Sequence, residues 1–176
     1  MFEALKQRIF TYYLSKQPKR QVLFPHYENI RSVLILYESD YTEKNQYIRD
    51  LRNRLSQLSM DVVTWGYVEK KDIESLNLPQ SRILGSRDFT PFLTPKQGTI
   101  WDLQRRQYDL LIDLTQHTCL PLHYLAMYAK ADFKAAMVLP LTSGIHDFLI
   151  QMPAEDTPQH LYEQITQFLM TIHSND

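Results

Sequence analysis

Glycine and cysteine are both scarce in this sequence of 176 residues, which contains four glycines and one cysteine, Cys119. Phosphate-binding loops are rich in glycine, because a backbone without Cβ atoms can approach a phosphate closely. The small number of glycines therefore argues against a glycine-rich cofactor-binding loop in this chain. A single cysteine excludes a disulfide within the chain and a cysteine-rich metal site, and it is typical of a reducing compartment.

The net charge is close to zero, and the apolar runs of the sequence are short. The formal net charge of -1 provides no broad attraction to nucleic acid or to an anionic membrane. The sequence has no apolar run of about 18 residues, which a membrane-spanning helix needs, and its first residues lack the pattern of a signal peptide. We therefore predict a cytoplasmic protein that binds neither nucleic acid nor membrane.

The hydrophobic content of 44%, with 12% aromatic residues, is typical of a folded globular chain, and the length suits one domain. Phe2, Leu5 and Ile9 recur at helical spacing and predict an N-terminal helix, which Pro18 ends. We predict a helix with an irregular arm over residues 1–31, and a single α/β domain over residues 32–176.

Short, continuous apolar runs predict strands that are covered on both faces, as in parallel sheets. These runs are Val33–Tyr37, Val62–Trp65, Arg82–Leu84, Asp109–Leu114, Ala135–Leu139 and Phe148–Met152. Amphipathic or apolar segments predict helices at residues 42–59, 100–107, 120–129 and 158–173. Thr157 is the predicted N-cap of the last helix. A short helical turn is predicted over Ile73–Leu78, and Trp65 and Trp101 are predicted to lie in the core.

Strands that alternate with helices along the whole chain predict an α/β fold. It is doubly wound, with a mostly parallel sheet in a three-layer Rossmann-like sandwich and an N-terminal helical arm. In such folds ligands bind beyond the carboxyl ends of the strands. The predicted ligand-binding residues at this edge are Ser39, Asp40, Asp113, Thr115, His117 and His146.

The turn after the first predicted strand argues against a nucleotide cofactor. It reads Glu38-Ser39-Asp40 and contains no glycine, so neither a dinucleotide-binding fingerprint nor a P-loop is present, and its carboxylates would repel a pyrophosphate. We predict no bound cofactor. Glu38, Asp40 and Asp113 would suit a Mg²⁺ pocket of the receiver-domain kind. About 75 residues separate the first two from the third, so a helix cap at Asp40, a solvated strand end at Asp113 and no metal are favoured.

Candidate nucleophiles and acid–base groups are few. Cys119 lies near a predicted helix start, but no nucleophile elbow accompanies it, and a buried structural thiol is favoured. His117 and His123 lack a zinc-binding spacing. His146 and Asp147 form either an acid–base pair or, as favoured, an ordinary loop pair.

One part of the chain resembles a known enzyme family. Tyr108–Leu114, the helix that follows and the step Ala129–Lys134 are similar to the acceptor half of lipopolysaccharide heptosyltransferase-type glycosyltransferases. The resemblance implies a shared fold and places Asp40 near that family's catalytic acid. The Gly-Asp motif and the nucleotide-sugar-binding half of that family are absent. As a whole, the chain resembles an uncharacterised domain family of Bacteroidales-type bacteria.

Two functions follow as hypotheses. The first is a non-catalytic or accessory α/β domain that binds a partner protein or a small ligand. Its N-terminal helix, which displays Tyr12 and Tyr13, would serve as a docking or homodimer surface. The alternative is a degenerate or partial glycosyltransferase-like enzyme that acts on a sugar or nucleotide-linked substrate, with Asp40 as the candidate catalytic base and Thr115 and His117 as binding groups.

Overall fold

The computed structural model of the chain describes residues 2–39, 43–69, 76–78, 80–153 and 155–172. The strands are β1 (Ser32–Glu38), β2 (Asp61–Tyr67), β3 (Leu76–Leu78), β4 (Ser81–Leu84), β5 (Gln107–Asp113), β6 (Lys130–Met137) and β7 (Phe148–Ile150). The α-helices are α1 (Phe2–Ser15), α2 (Glu43–Gln57), α3 (Gln97–Gln104), α4 (Leu120–Tyr128) and α5 (Pro158–Thr171). None of the described helices has the length and apolar character needed to cross a membrane.

The strands form one sheet in the order β3-β4-β2-β1-β5-β6-β7. All neighbours are parallel except β3, which pairs antiparallel with β4. The chain moves outward from β1 through β2 to β4, then returns to the other side of β1 and continues through β5, β6 and β7. This is the strand order of a doubly wound Rossmann-like sheet, and the predicted fold class is confirmed. The order reverses between β1 and β5.

Both faces of the sheet are covered, which explains the continuous apolar runs. In β1, Leu34 and Leu36 face a core shared with α1, α3 and α4, whereas Val33 and Ile35 face a second core with α2 and α5. Successive strand residues point to opposite faces, so a strand between two helical layers needs apolar side chains at every position.

Helix α4 is buried along its length, from Leu120 to Met127. It is apolar on all sides, as expected of a helix that is covered all round. Helix α1 lies on its outer side, where the Phe10 ring packs edge-on against Tyr124, with ring centroids 4.8 Å apart. The N-terminal helix therefore covers a helix that would otherwise expose an apolar surface.

The parallel strands β6 and β7 are joined by a loop over residues 138–147 and not by a crossover helix. Leu141 (φ 74°) and Gly144 (φ 86°) in this loop adopt left-handed backbone conformations, which are uncommon for a residue with a branched side chain such as leucine. A Cβ on Gly144 would lie 3.7 Å from the Leu14 side chain, so the end of α1 lies beside the loop.

Several element predictions need correction. Leu76–Leu78, predicted as part of a helical turn, forms strand β3, while residues 73–75 lie outside the described part of the chain. Trp101, predicted in the core, is 63% exposed, because α3 begins at Gln97 and turns this residue outward. Strand β6 begins at Lys130, five residues before the predicted start, since its charged residues interrupt the apolar pattern.

Candidate functional site

The crevice between the carboxyl ends of β1 and β5 is where doubly wound folds usually bind ligands. Here the chain's own side chains cross it. The Glu38 carboxylate accepts a hydrogen bond of 3.3 Å from the Gln116 backbone N–H and lies 3.3 Å from Nδ1 of His117. The Gln116 side-chain amide donates in turn to the Asp156 carbonyl, in the loop before α5. A negative side chain thus occupies the position at which a phosphate would be expected.

Two of the predicted ligand-binding residues lie at this crevice. Ser39 is buried; its backbone N–H donates to the Tyr67 carbonyl and its hydroxyl donates to Asn45, which ties β1 to β2 and to the start of α2. The His117 side chain is 67% exposed beside Glu38. Asp40, the candidate catalytic base, lies outside the described residues.

Three other predicted residues come together at the carboxyl end of β5, beside His123 of α4. Asp113 ends β5, and its Oδ1 accepts hydrogen bonds from the backbone N–H of Thr115, at 3.0 Å, and from the Thr115 hydroxyl. Its Oδ2 lies 3.2 Å from Nε2 of His146, and both of these side chains are fully buried. Burial alone raises the pKa of Asp113, but His146, His123 and the Thr115 hydroxyl together hold it below its usual value. The predicted solvated strand end is therefore wrong.

Both nitrogens of His146 face acceptors of the protein itself. Nδ1 lies 3.3 Å from the carbonyl oxygen of Thr142 in the β6–β7 loop, and Nε2 faces Asp113. The two ring nitrogens are thus turned toward a carboxylate and a carbonyl of the protein itself, and Asp113 and His146 form a buried polar pair. His146 is not paired with Asp147, whose carboxylate accepts from the Lys134 backbone.

Next to this pair, His123 in α4 is wholly buried and neither of its ring nitrogens makes a hydrogen bond within the described structure. Burial lowers its pKa, so the ring is neutral at neutral pH. Cys119, at the N-cap of α4, is equally unreactive. Burial raises the pKa of its thiol to about 12, which removes the thiolate needed for nucleophilic chemistry.

Lys134 in β6 is a buried cation that sequence reasoning missed. Its side chain is directed at the end of α4, where Nζ donates to the carbonyls of Ala126 at 2.6 Å and Met127 at 3.5 Å. A cation is favourable at a helix C-terminus, because the last carbonyls lack partners within the helix. Burial, with a smaller effect of Arg20, nevertheless lowers the pKa of Lys134 to about 7, while Asp147 acts in the opposite direction.

Lys134 and His146 also line a groove of about 720 Å³. The groove lies between the first half of β6 and the segment that joins α1 to β1, which we call the linking segment (residues 16–31). Arg20 of this segment donates to the carbonyls of Ala131 and Asp132 and pairs with Asp147. The linking segment is thereby fixed against β6, and the groove is a built feature of the fold.

The candidate site thus divides into three places. Asp113, Thr115 and His146 form one buried cluster, Ser39 and the exposed His117 lie at the β1–β5 crevice, and the grouping of these residues as one ligand site stays a prediction. The groove was not predicted, although a lysine directly before Ala135 and Ala136 in an apolar strand is an unusual pattern. Within the described residues, no group of three or more metal-binding side chains is placed to hold a metal ion.

The fold and these contacts define a three-layer α/β domain with a doubly wound sheet. The chain belongs to a family of unknown function (DUF6913), whose profile matches residues 4–172. No curated protein and no solved structure matches the chain. The predicted membership of an uncharacterised family is confirmed at this level, but the comparisons support neither the bacterial group nor the resemblance to heptosyltransferases.

Proposed function

We propose that the chain is a non-catalytic binding domain for a small anionic molecule, held in the groove between the linking segment and β6. The observation that carries this proposal is an excess of cations at the groove. Four basic and two acidic side chains line it: Lys19, Arg20, Lys130 and Lys134 against Asp132 and Asp147. The volume of about 720 Å³ falls within the range of small-molecule sites.

The side-chain contacts inside the usual binding crevice of the fold favour a ligand site elsewhere in the molecule. Glu38 contacts Gln116 and His117 there, and Gln116 reaches Asp156. A nucleotide would have to break these contacts and place its phosphates beside a carboxylate, which is unfavourable by Coulomb repulsion. In the groove the two carboxylates, Asp132 and Asp147, are outnumbered by four basic side chains.

The state of the titratable groups supports a role without catalysis. General acid–base catalysis requires a side chain that can exchange a proton with the substrate. His146 has both nitrogens directed at internal acceptors, and the Cys119 thiol, with its pKa raised to about 12, remains protonated near neutral pH. These groups stabilise the fold and do not form a reactive centre.

Because of Lys134, the affinity of the groove for an anion should depend on pH. An ammonium has three N–H donors, and the contacts with Ala126 and Met127 use two of them. An anion in the groove would stabilise the charged form of Lys134 and raise its pKa from about 7. Binding of an anion should therefore be accompanied by proton uptake and should strengthen as the pH falls from 8 to 6.

Sulfate is the suitable first probe, because its charge is constant across this range. We expect isothermal titration calorimetry at constant ionic strength to show sulfate binding that is several-fold tighter at pH 6 than at pH 8. The variant pair Lys19→Gln with Lys130→Gln should weaken binding, since both side chains are exposed at the groove. Arg49→Gln, an exposed cation of α2 on the opposite face of the sheet, is the matched control and should bind as the wild type does.

Other ligands separate this proposal from its alternative. A thermal-shift series with citrate, neutral polyols and nucleotide sugars should show stabilisation by the anion alone. Stabilisation by a nucleotide sugar and not by simple anions would favour the glycosyltransferase-like enzyme with Asp40 as base. Equal stabilisation of the groove variant and the wild type by anions would contradict the groove as the site.

A further inference from the structure

Helix α1 has two apolar faces, of which the fold uses one. Phe10 points inward and is fully buried, with Leu14 half-buried beside it. Phe2, Leu5 and Tyr12 point outward and are 54%, 45% and 59% exposed. Exposed apolar side chains that are grouped in this way mark interaction surfaces more often than scattered ones do.

The outward residues follow the spacing of a helix–helix seam. Phe2, Leu5, Ile9 and Tyr12 are separated by three, four and three residues, which is the a/d pattern of two packed helices. This series of gaps reads the same in both directions along the helix. A second copy of α1 running antiparallel therefore presents the same spacing, with Phe2 opposite the second copy's Tyr12 and Leu5 opposite its Ile9.

We infer that the chain forms a homodimer in which the outer face of α1, defined by Phe2, Leu5, Ile9 and Tyr12, packs antiparallel against the same face of a second copy. The twofold axis passes between the levels of Leu5 and Ile9. Such an interface is isologous, so it closes and does not propagate. It lies on α1 and is separate from the groove at β6.

The distribution of charge favours the antiparallel arrangement. Lys16 follows the apolar series at the C-terminal end of α1, while Glu3 lies at its N-terminal end. A parallel pair would bring both basic ends together, whereas an antiparallel pair places each basic end beside the acidic end of the other helix. The helix dipoles are also aligned favourably only when the helices run in opposite directions.

The surface beside α1 enlarges the interface. A helix of 14 residues is about 21 Å long, so the pairing of two helices alone is small against the usual 800 Å² per partner. Phe92, 39% exposed, packs near Phe2 with ring centroids 6.0 Å apart. It also lines, with Tyr12 and Tyr13, a depression of about 430 Å³ that is open to an apolar side chain of the second copy. The dimer is expected to be weak enough to dissociate on dilution.

Sedimentation velocity over a dilution series tests the state of association. The wild type should shift from dimer to monomer as it is diluted, and Leu5→Glu and Tyr12→Glu should remain monomeric throughout. Leu58→Glu, at an even more exposed leucine after α2, is the control and should behave as the wild type does. A wild type that stays monomeric at every concentration, or a Leu58→Glu variant that loses the dimer equally, would overturn the inference.

Cysteine substitution tests the direction of the helices. In the antiparallel pair, the two copies of Phe2 lie about 15 Å apart along the helix axis, beyond the reach of a disulfide. A mixture of Phe2→Cys and Tyr12→Cys proteins should form a disulfide-linked dimer on mild oxidation, while Phe2→Cys alone should not. The wild type, with only the half-buried Cys119, gives the background. A linked dimer from Phe2→Cys alone would show a parallel pair and overturn this arrangement.

Discussion

Gly66 in β2 lies directly beneath the ring of Tyr37 in β1. A Cβ at this position would be 2.7 Å from Cζ and 3.0 Å from the hydroxyl of Tyr37, closer than packed atoms can approach. The register of the sheet pairs these two residues, so neither strand can move aside without losing its neighbours. The position needs glycine because of this close approach and not because of its backbone dihedrals.

Gly66→Ala should therefore lower the free energy of unfolding by about 1–3 kcal/mol, the usual cost of overpacking. Urea denaturation is the measurement. Gly98→Ala is the control, because no atom lies within 4 Å of its Cβ and alanine is favoured in a helix by about 0.5–1 kcal/mol. In a double-mutant cycle with Tyr37→Leu, the cost of Gly66→Ala should shrink; additive effects would contradict the proposed clash.

Lys134 makes stability depend on pH in a direction that can be stated in advance. The folded protein releases this proton near pH 7, whereas an unfolded chain keeps it to about pH 10.4. The unfolded state binds more protons between these values, so the contribution of Lys134 to stability rises with pH across that range. Charged Lys134 is thus unfavourable below pH 7.

Lys134→Met should remove this dependence. We expect the free energy of unfolding of the wild type, relative to that of the variant, to increase by about 2 kcal/mol between pH 7 and pH 9. Chemical denaturation of both proteins at a series of pH values measures the difference. A constant difference across the series would show that the lysine keeps its proton when buried.

At the scale of an element, the buried contact between Asp113 and His146 fastens the β6–β7 loop to the end of β5. Removing one partner of a buried polar pair leaves the other group without compensation, which costs about 1–3 kcal/mol, and more for a charged group. Asp113→Asn and His146→Gln should each show a loss of this order in urea denaturation, while the double variant should lose less than the sum. Exact additivity of the two losses would mean that the pair does not couple the loop to β5.

The low pKa of Asp113 gives this pair an acid dependence. Because the folded-state pKa lies below the unfolded value, the stabilisation is present above about pH 4 and is lost as the pH falls through the folded-state value. The wild type should therefore lose more stability than Asp113→Asn on acidification below pH 4, as measured by denaturation at each pH.

The elements that the sequence predicts best are those with one dominant pattern. Val33–Tyr37 lies within β1 and is buried throughout, and the Thr157 hydroxyl accepts a hydrogen bond from the His160 N–H, as an N-cap should. The start of β6 is different, since Lys130 and Lys134 look like a polar helix end. Lys134 is tolerated in the strand only because α4 ends beside it, a tertiary relation that no local pattern contains.

At the scale of the whole molecule, α1 is part of the folded core. Phe10→Ala should cost about 3–5 kcal/mol, because the ring fills the space over Tyr124 and His123. Tyr12→Ala on the outer face of the same helix should change stability by no more than about 0.5 kcal/mol when measured on dilute protein. Urea denaturation of the two variants decides this, and equal losses would contradict the packing of α1 on α4.

The candidate site was predictable from the sequence only in part. Sheet topology brings the end of β5 and the β6–β7 loop to the same edge, which is why Asp113 and His146 lie close together, but their burial was not foreseen. The groove depends on Arg20 and Ala131, which are 111 residues apart in the chain. Contacts of such range have no signature in spacing or composition.

The same long separation in sequence affects the order in which the elements are covered during synthesis on the ribosome. Helix α1 is synthesised more than a hundred residues before the helix that it covers and the strand that fixes its linking segment. At about 5–20 residues per second, the ribosome needs on the order of ten seconds to complete them. Throughout this time Phe10 and the outer face are both exposed on the nascent chain. Helix α1 is therefore without its packing partner for most of the synthesis of this sequence, and both of its apolar faces are open to contact with a chaperone until α4 has been made.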